Sequence, residues 1–127
     1  MKIKKILGLA LALTALLTFT GIIKAKAQFG ATITVTWDIN TAGSVCMGAT
    51  GNCWHFPMMG SMHTFTNVAP GANFTISGTR LGTPFNVVIS KATVDANTVD
   101  GVLIASGVAV VVRKTAEGQY RIYYEYS

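Results

Sequence analysis

Phe29-Gly30-Ala31-Thr32-Ile33-Thr34-Val35-Thr36-Trp37-Asp38-Ile39-Asn40 is the stretch that decides the fold class. Its odd-numbered positions, Phe29, Ala31, Ile33, Val35, Trp37 and Ile39, are apolar. Its even-numbered positions are Gly30, Thr32, Thr34, Thr36, Asp38 and Asn40. In a strand, successive side chains point to opposite faces, so this period of two builds one apolar and one threonine-rich face. Wound as a helix, the same apolar residues would be scattered around the circumference. The stretch predicts a half-buried β-strand.

The same reading extends toward the C-terminus. Trp54 to Phe56, Met62 to Thr66 and Asn73 to Ser77 are short strand candidates, and Pro57 stops the first. Phe85, Val87 and Ile89 alternate with Asn86, Val88 and Ser90. Val102 to Arg113 is apolar on both faces and reads as a central strand, with a bulge or tight turn at Ser106-Gly107. Thr115 to Gly118 reads as a hairpin loop before a last strand, Gln119 to Tyr126. Residues 40–53, 78–83 and 95–101 read as loop or turn, and no segment has a convincing helical period. Many short strands at this spacing predict an all-β chain. The expected fold is a single small β-sandwich, immunoglobulin-like or prealbumin-like, of seven to eight antiparallel strands.

Pro70-Gly71 suits the two central positions of a type II turn. The whole segment Phe65-Thr66-Asn67-Val68-Ala69-Pro70-Gly71-Ala72-Asn73-Phe74-Thr75-Ile76 resembles the strand-turn-strand of prealbumin-like sandwich domains. Aromatic, aliphatic, Pro-Gly, aromatic and aliphatic residues follow there at the same spacing. The resemblance implies a sandwich and transfers no functional residue.

The formal net charge of +5 on 127 residues suggests a basic protein until it is divided. Residues 1–27 hold Lys2, Lys4, Lys5, Lys24 and Lys26 and no acid, so the remaining residues carry 5 − 5 = 0. The first segment has the plan of a cleavable signal peptide: basic residues, then the apolar Ile6 to Ile23, then the small-residue site Ala25-Lys26-Ala27. The alternative is a retained membrane anchor. The signal-peptide reading divides the chain into a leader, residues 1–27, and a β-sandwich domain, residues 28–127. It predicts a secreted or periplasmic protein with no membrane span after cleavage. Cys46 and Cys53, the two cysteines, are then expected to form a disulfide. Such a short closed loop contributes about 2–3 kcal/mol in the chain-entropy account.

Four of the five methionines and both histidines fall in or beside one stretch, residues 46–63. Thioether and imidazole ligands together suit copper, so His55, Met58, Met62 and His63 form a candidate copper site. The competing reading is that methionine fills irregular gaps beneath a loop. Tyr120, Tyr123, Tyr124 and Tyr126 form a second candidate, a contact surface for a protein or glycan on the last strand. An ordinary closing strand with one buried face explains the same residues. Both ends of the mature chain are strand-like, which allows self-association by strand exchange.

Catalytic signatures are weak. Gly51-Asn52-Cys53-Trp54 looks like the nucleophile segment of papain-like proteases, but no histidine follows His63. Asp95 to Gly101 has acids and Asn near a glycine, without calcium-loop spacing. A neutral mature chain with few cations argues against a nucleic-acid surface. The expectation is an exported, non-catalytic binding or structural module acting through loops, a sheet edge or the Tyr-rich last strand, with the Cys46–His63 loop part of its contact surface. A copper-binding protein and a self-assembling surface or fibre subunit are the alternatives.

Overall fold

The computed structural model describes residues 30–48 and 51–127; the expected signal peptide, residues 1–27, lies outside the described residues, as do residues 28–29 and 49–50. Nine strands follow in order: β1 (Ala31–Asp38), β2 (Gly43–Met47), β3 (Cys53–Phe56), β4 (Ser61–Val68), β5 (Asn73–Arg80), β6 (Thr83–Ser90), β7 (Val99–Ala105), β8 (Val108–Ala116) and β9 (Gln119–Tyr126). One short helix, α1 (Lys91–Asn97), stands between β6 and β7. Along β1 the alternation holds. Ile33, Val35 and Trp37 are buried, while Thr34 and Thr36 lie on the outer face.

The strands form two packed sheets, a β-sandwich. The larger has the order β4-β1-β9-β8-β7 and the smaller β3-β2-β5-β6. Ile33, Val35, Trp37, Val110, Val112 and Ile122 from the larger sheet meet Val45, Phe56, Phe74, Ile76 and Ile89 from the smaller. Trp37 sits at the centre of one end. Its ring is stacked on Phe56 at 5.4 Å between centroids, and its Nε1–H donates to the Thr41 carbonyl at 2.9 Å. The buried indole thus keeps a polar partner.

Four expectations need correction. First, the described residues form nine strands, and one pair is parallel: β1 runs alongside β9 with Val35 opposite Tyr120. Period-two patterning looks the same for either direction, because direction is set by the path of the chain. Second, Val102 to Arg113 is two strands. Ser106-Gly107 is a hairpin turn, with Gly107 at φ +75°, and β7 folds back on β8. Third, residues 40–53 include a buried strand, β2. Fourth, residues 91–97 are helical. The Ser90 hydroxyl accepts from the Thr93 N–H at 3.2 Å, Thr98 ends the turn at φ +74°, and Val94 reaches the core. Seven residues, about two turns of helix, are too few to show an apolar period.

The Phe65–Ile76 segment does form strand, turn and strand. The Ala72 N–H donates to the Ala69 carbonyl at 3.0 Å, across Pro70-Gly71. β4 and β5 belong to different sheets, so this turn carries the chain over the rim of the sandwich.

Candidate functional site: the β3–β4 edge

β3 is a four-residue strand at the edge of the smaller sheet. So short an edge strand has little pairing energy of its own. Cys46 lies directly opposite Cys53, and the two form a disulfide that ties β3 to β2. The bond fits an oxidising, extracytoplasmic compartment. Among the described residues no helix is long and apolar enough to cross a membrane.

Alternation along β3 sends Trp54 and Phe56 toward the larger sheet, and Cys53 and His55 away from it. Phe56 is buried against Trp37. Trp54 stands one step nearer the rim, and its indole stacks on the His63 ring of β4 at 3.9 Å, nearly coplanar at 7°. His63 in turn meets Phe65 edge-on at 4.6 Å. β3 and β4 are edges of different sheets, so no backbone ladder joins them. The row Trp54–His63–Phe65 closes the sandwich on this side. Burial holds the His63 pKa below the ordinary imidazole value, which keeps the ring neutral at pH 7 and suited to stacking.

The connection from β3 to β4 is pinned by its backbone. The Gly60 N–H donates to the Trp37 carbonyl at 2.6 Å, and the Ser61 N–H to the Met58 carbonyl at 3.2 Å. The side chains of this turn point into water. Met58 is 64% exposed, Met59 53%, Met62 63% and Trp54 46%. Four large apolar side chains thus crowd one edge while Met47, on β2, fills the core.

The four residues singled out as copper ligands are distributed by strand alternation. His55 is on the outer face of the smaller sheet, with Nδ1 3.2 Å from the Ser44 hydroxyl. His63 faces inward against Trp54. Met62, the neighbour of His63, lies on the outer face of β4 opposite Thr36. Met58 belongs to the exposed turn. The two imidazoles therefore face different sides of the molecule. Among the described residues no three His, Cys, Asp or Glu side chains gather in a group that could hold a metal ion.

The four tyrosines of β9 do not share a surface. Tyr120 is buried, and its hydroxyl donates to Asp95 Oδ1 at 2.5 Å. Lys91 Nζ lies 2.8 Å from Asp95 Oδ2, and Lys114 Nζ lies 3.6 Å from Oδ1. Burial alone would raise the Asp95 pKa. The hydrogen bonds from Lys91 and Tyr120, with the pull of both lysines, bring it below the ordinary value. Burial, then the bond to Asp95, pushes the Tyr120 phenol well above the usual tyrosine range. Tyr123 is on the outer face, where its hydroxyl accepts from Arg113 Nε at 2.9 Å and Arg121 lies 4.7 Å over its ring. Arg121 also pairs with Asp38. Tyr124 is half-buried, and Tyr126 is 64% exposed.

Trp54 and Met59 fall inside the Cys46–His63 stretch expected to be a contact surface, but the sequence assigns neither a role of its own. A tryptophan in a candidate strand reads as core. Only the position of β3 at an edge, facing the edge of the other sheet, brings it to the surface. No protein family, curated protein or solved structure matches this chain.

Proposed function

We propose that this protein is an exported, non-catalytic binding module whose contact surface is the β3–β4 edge, and that its partner there is a protein. The observation that carries the reading is the exposure of Trp54, Met58, Met59 and Met62, all on β3, β4 or the turn between them. Contiguous apolar side chains left in water mark interaction sites on small soluble domains. Methionine adapts its shape to a partner, and tryptophan supplies a wide anchor. Two adjacent strand edges add unpaired backbone groups that a partner strand can meet. Export rests on the leader at residues 1–27 and on the disulfide. The Pro70-Gly71 crossing supports the prealbumin-like variety of sandwich. With a formally neutral domain, binding should depend weakly on salt.

Incorporation of photo-methionine in the producing cell tests the reading. Ultraviolet light should give a covalent adduct with a protein, and the adduct should vanish when Met58, Met59 and Met62 are replaced by serine. The adduct mass distinguishes a different protein from a second copy of this chain. An adduct pattern identical in the serine variant would sink the proposal.

A further inference from the structure

The opposite edge of the sandwich, where β6 and β7 approach, has another shape. A cavity of about 370 Å³ opens between the β5–β6 turn and the β7–β8 turn. Arg80, Leu81, Phe85, Ile104, Ser106 and Val108 are among its walls. The size is within the range of roughly 300–1,000 Å³ in which small-molecule sites fall.

Arg80 is the unusual wall. Its guanidinium carbon lies 5.6 Å from the Tyr124 ring centre and 5.5 Å from that of Tyr126. Tyr124 also meets Phe85 edge-on at 6.2 Å. Among the described residues Lys91, Lys114 and Arg121 each pair with a carboxylate, but none lies within 4.0 Å of Arg80. Nor do its N–H groups donate a hydrogen bond to a described residue. The two rings lie against the guanidinium, and among the described residues no carbonyl, hydroxyl or carboxylate takes up its N–H groups. A planar fork beside an apolar cavity is one half of a carboxylate recognition pair.

A second observation points the same way. The β5–β6 turn is Leu81-Gly82, with φ +50° and +80°. Two-residue hairpin turns with both φ positive favour Asn-Gly, and leucine is disfavoured in that backbone. Here the leucine is also 89% exposed. Local energetics give no reason for it, whereas a ligand in the cavity would. An outlier of this kind is found where a site needs it.

We propose that the β6–β7 edge is a second binding site, which takes a small organic monocarboxylate with an apolar body. The carboxylate sits on the Arg80 fork, the body lies against Phe85, Ile104 and Val108, and Leu81 covers it. A phosphate dianion fits less well, because a single cation and the hydroxyls of Thr83 and Ser106 would not replace its hydration.

The test is a titration of the purified, isotope-labelled protein, followed by backbone amide NMR shifts. The probes are octanoate and 4-phenylbutanoate, with octanol and octylammonium as controls. At least one carboxylate should shift residues 80–85 and 104–108 together, binding about tenfold tighter than either control. Arg80→Gln should abolish that preference. Leu81→Gly relaxes the backbone, so the protein stays folded, and it should weaken carboxylate binding by about threefold. The proposal is overturned if neither carboxylate moves these residues, if octanol binds as well, or if Arg80→Gln keeps the preference.

Discussion

At the β3–β4 edge a flat pair of rings, Trp54 on His63, joins the two sheets. At the β6–β7 edge the sheets are bridged by α1 at one end and part at the other, where Arg80 stands over two tyrosines. The first edge turns its remaining apolar atoms outward, on methionines without charge. The second folds its apolar atoms around a hollow and keeps at the mouth a cation, Arg80, with no carboxylate partner among the described residues. One sandwich thus carries, at one edge, the surface proposed to meet a protein and, at the other, the hollow proposed to take a small carboxylate. What separates them is how each gap is filled.

Four measurements bear on that contrast. Phe56→Ala should remove about 3–5 kcal/mol of stability in urea unfolding, since it empties a fully buried site behind Trp54. Phe85→Ala, half-buried beside a hollow that already exists, should remove clearly less, about 1–2 kcal/mol. Equal losses would mean that the two edges are packed alike. Replacing Cys46 and Cys53 together by alanine should cost about 2–3 kcal/mol and raise acrylamide quenching of Trp54, while Trp37 stays shielded. Unchanged quenching would show that β3 holds its place without the bond.

Asp95 secures α1 to Tyr120 and so controls the closed end of the β6–β7 gap. Asp95→Asn should cost about 1 kcal/mol at neutral pH. Because the native pKa of Asp95 is lowered, its contribution is present above the ordinary aspartate range and fades as the pH falls through the native value. Tyr120 is raised, so its contribution is intact below about pH 10 and fades as the pH climbs above that. Thermal melts across pH should therefore show wild type and Asp95→Asn converging in strong acid. A constant gap would place the effect elsewhere. The smallest effect belongs to the methionines. Serine at 58, 59 and 62 should change stability by no more than about 0.5 kcal/mol, because those side chains are already in water. A larger loss would make them packing residues and not a contact surface.

The strands that alternate cleanly, Ile33 to Trp37 and Phe85 to Ile89, were legible because each buries one face. What was not legible depends on partners distant in sequence. The alternation of Gln119 to Tyr126 separates Tyr123 from Tyr120, Tyr124 and Tyr126, as observed. It does not say that Tyr120 finds Asp95 while Tyr126 runs out past the core. The Met/His stretch showed its chemistry but not its faces, since the boundaries of β3 and β4 decide which way His55, Met62 and His63 point. The Leu81-Gly82 turn stayed hidden because leucine carries no turn signal. Ser106-Gly107 carried a weak one and could be read two ways.

The parallel pairing of β1 with β9 sets an order of events. These strands lie side by side at the middle of the larger sheet, with Val35 opposite Tyr120, although most of the described chain separates them. Strand β1 has β4 available early, but its other flank waits until almost all the described residues have been synthesised. Contacts so remote in sequence slow folding toward the millisecond-to-second range typical of β-rich domains. The proposed export of the chain in an unfolded state would benefit from that delay, since its central sheet cannot close before β9 emerges.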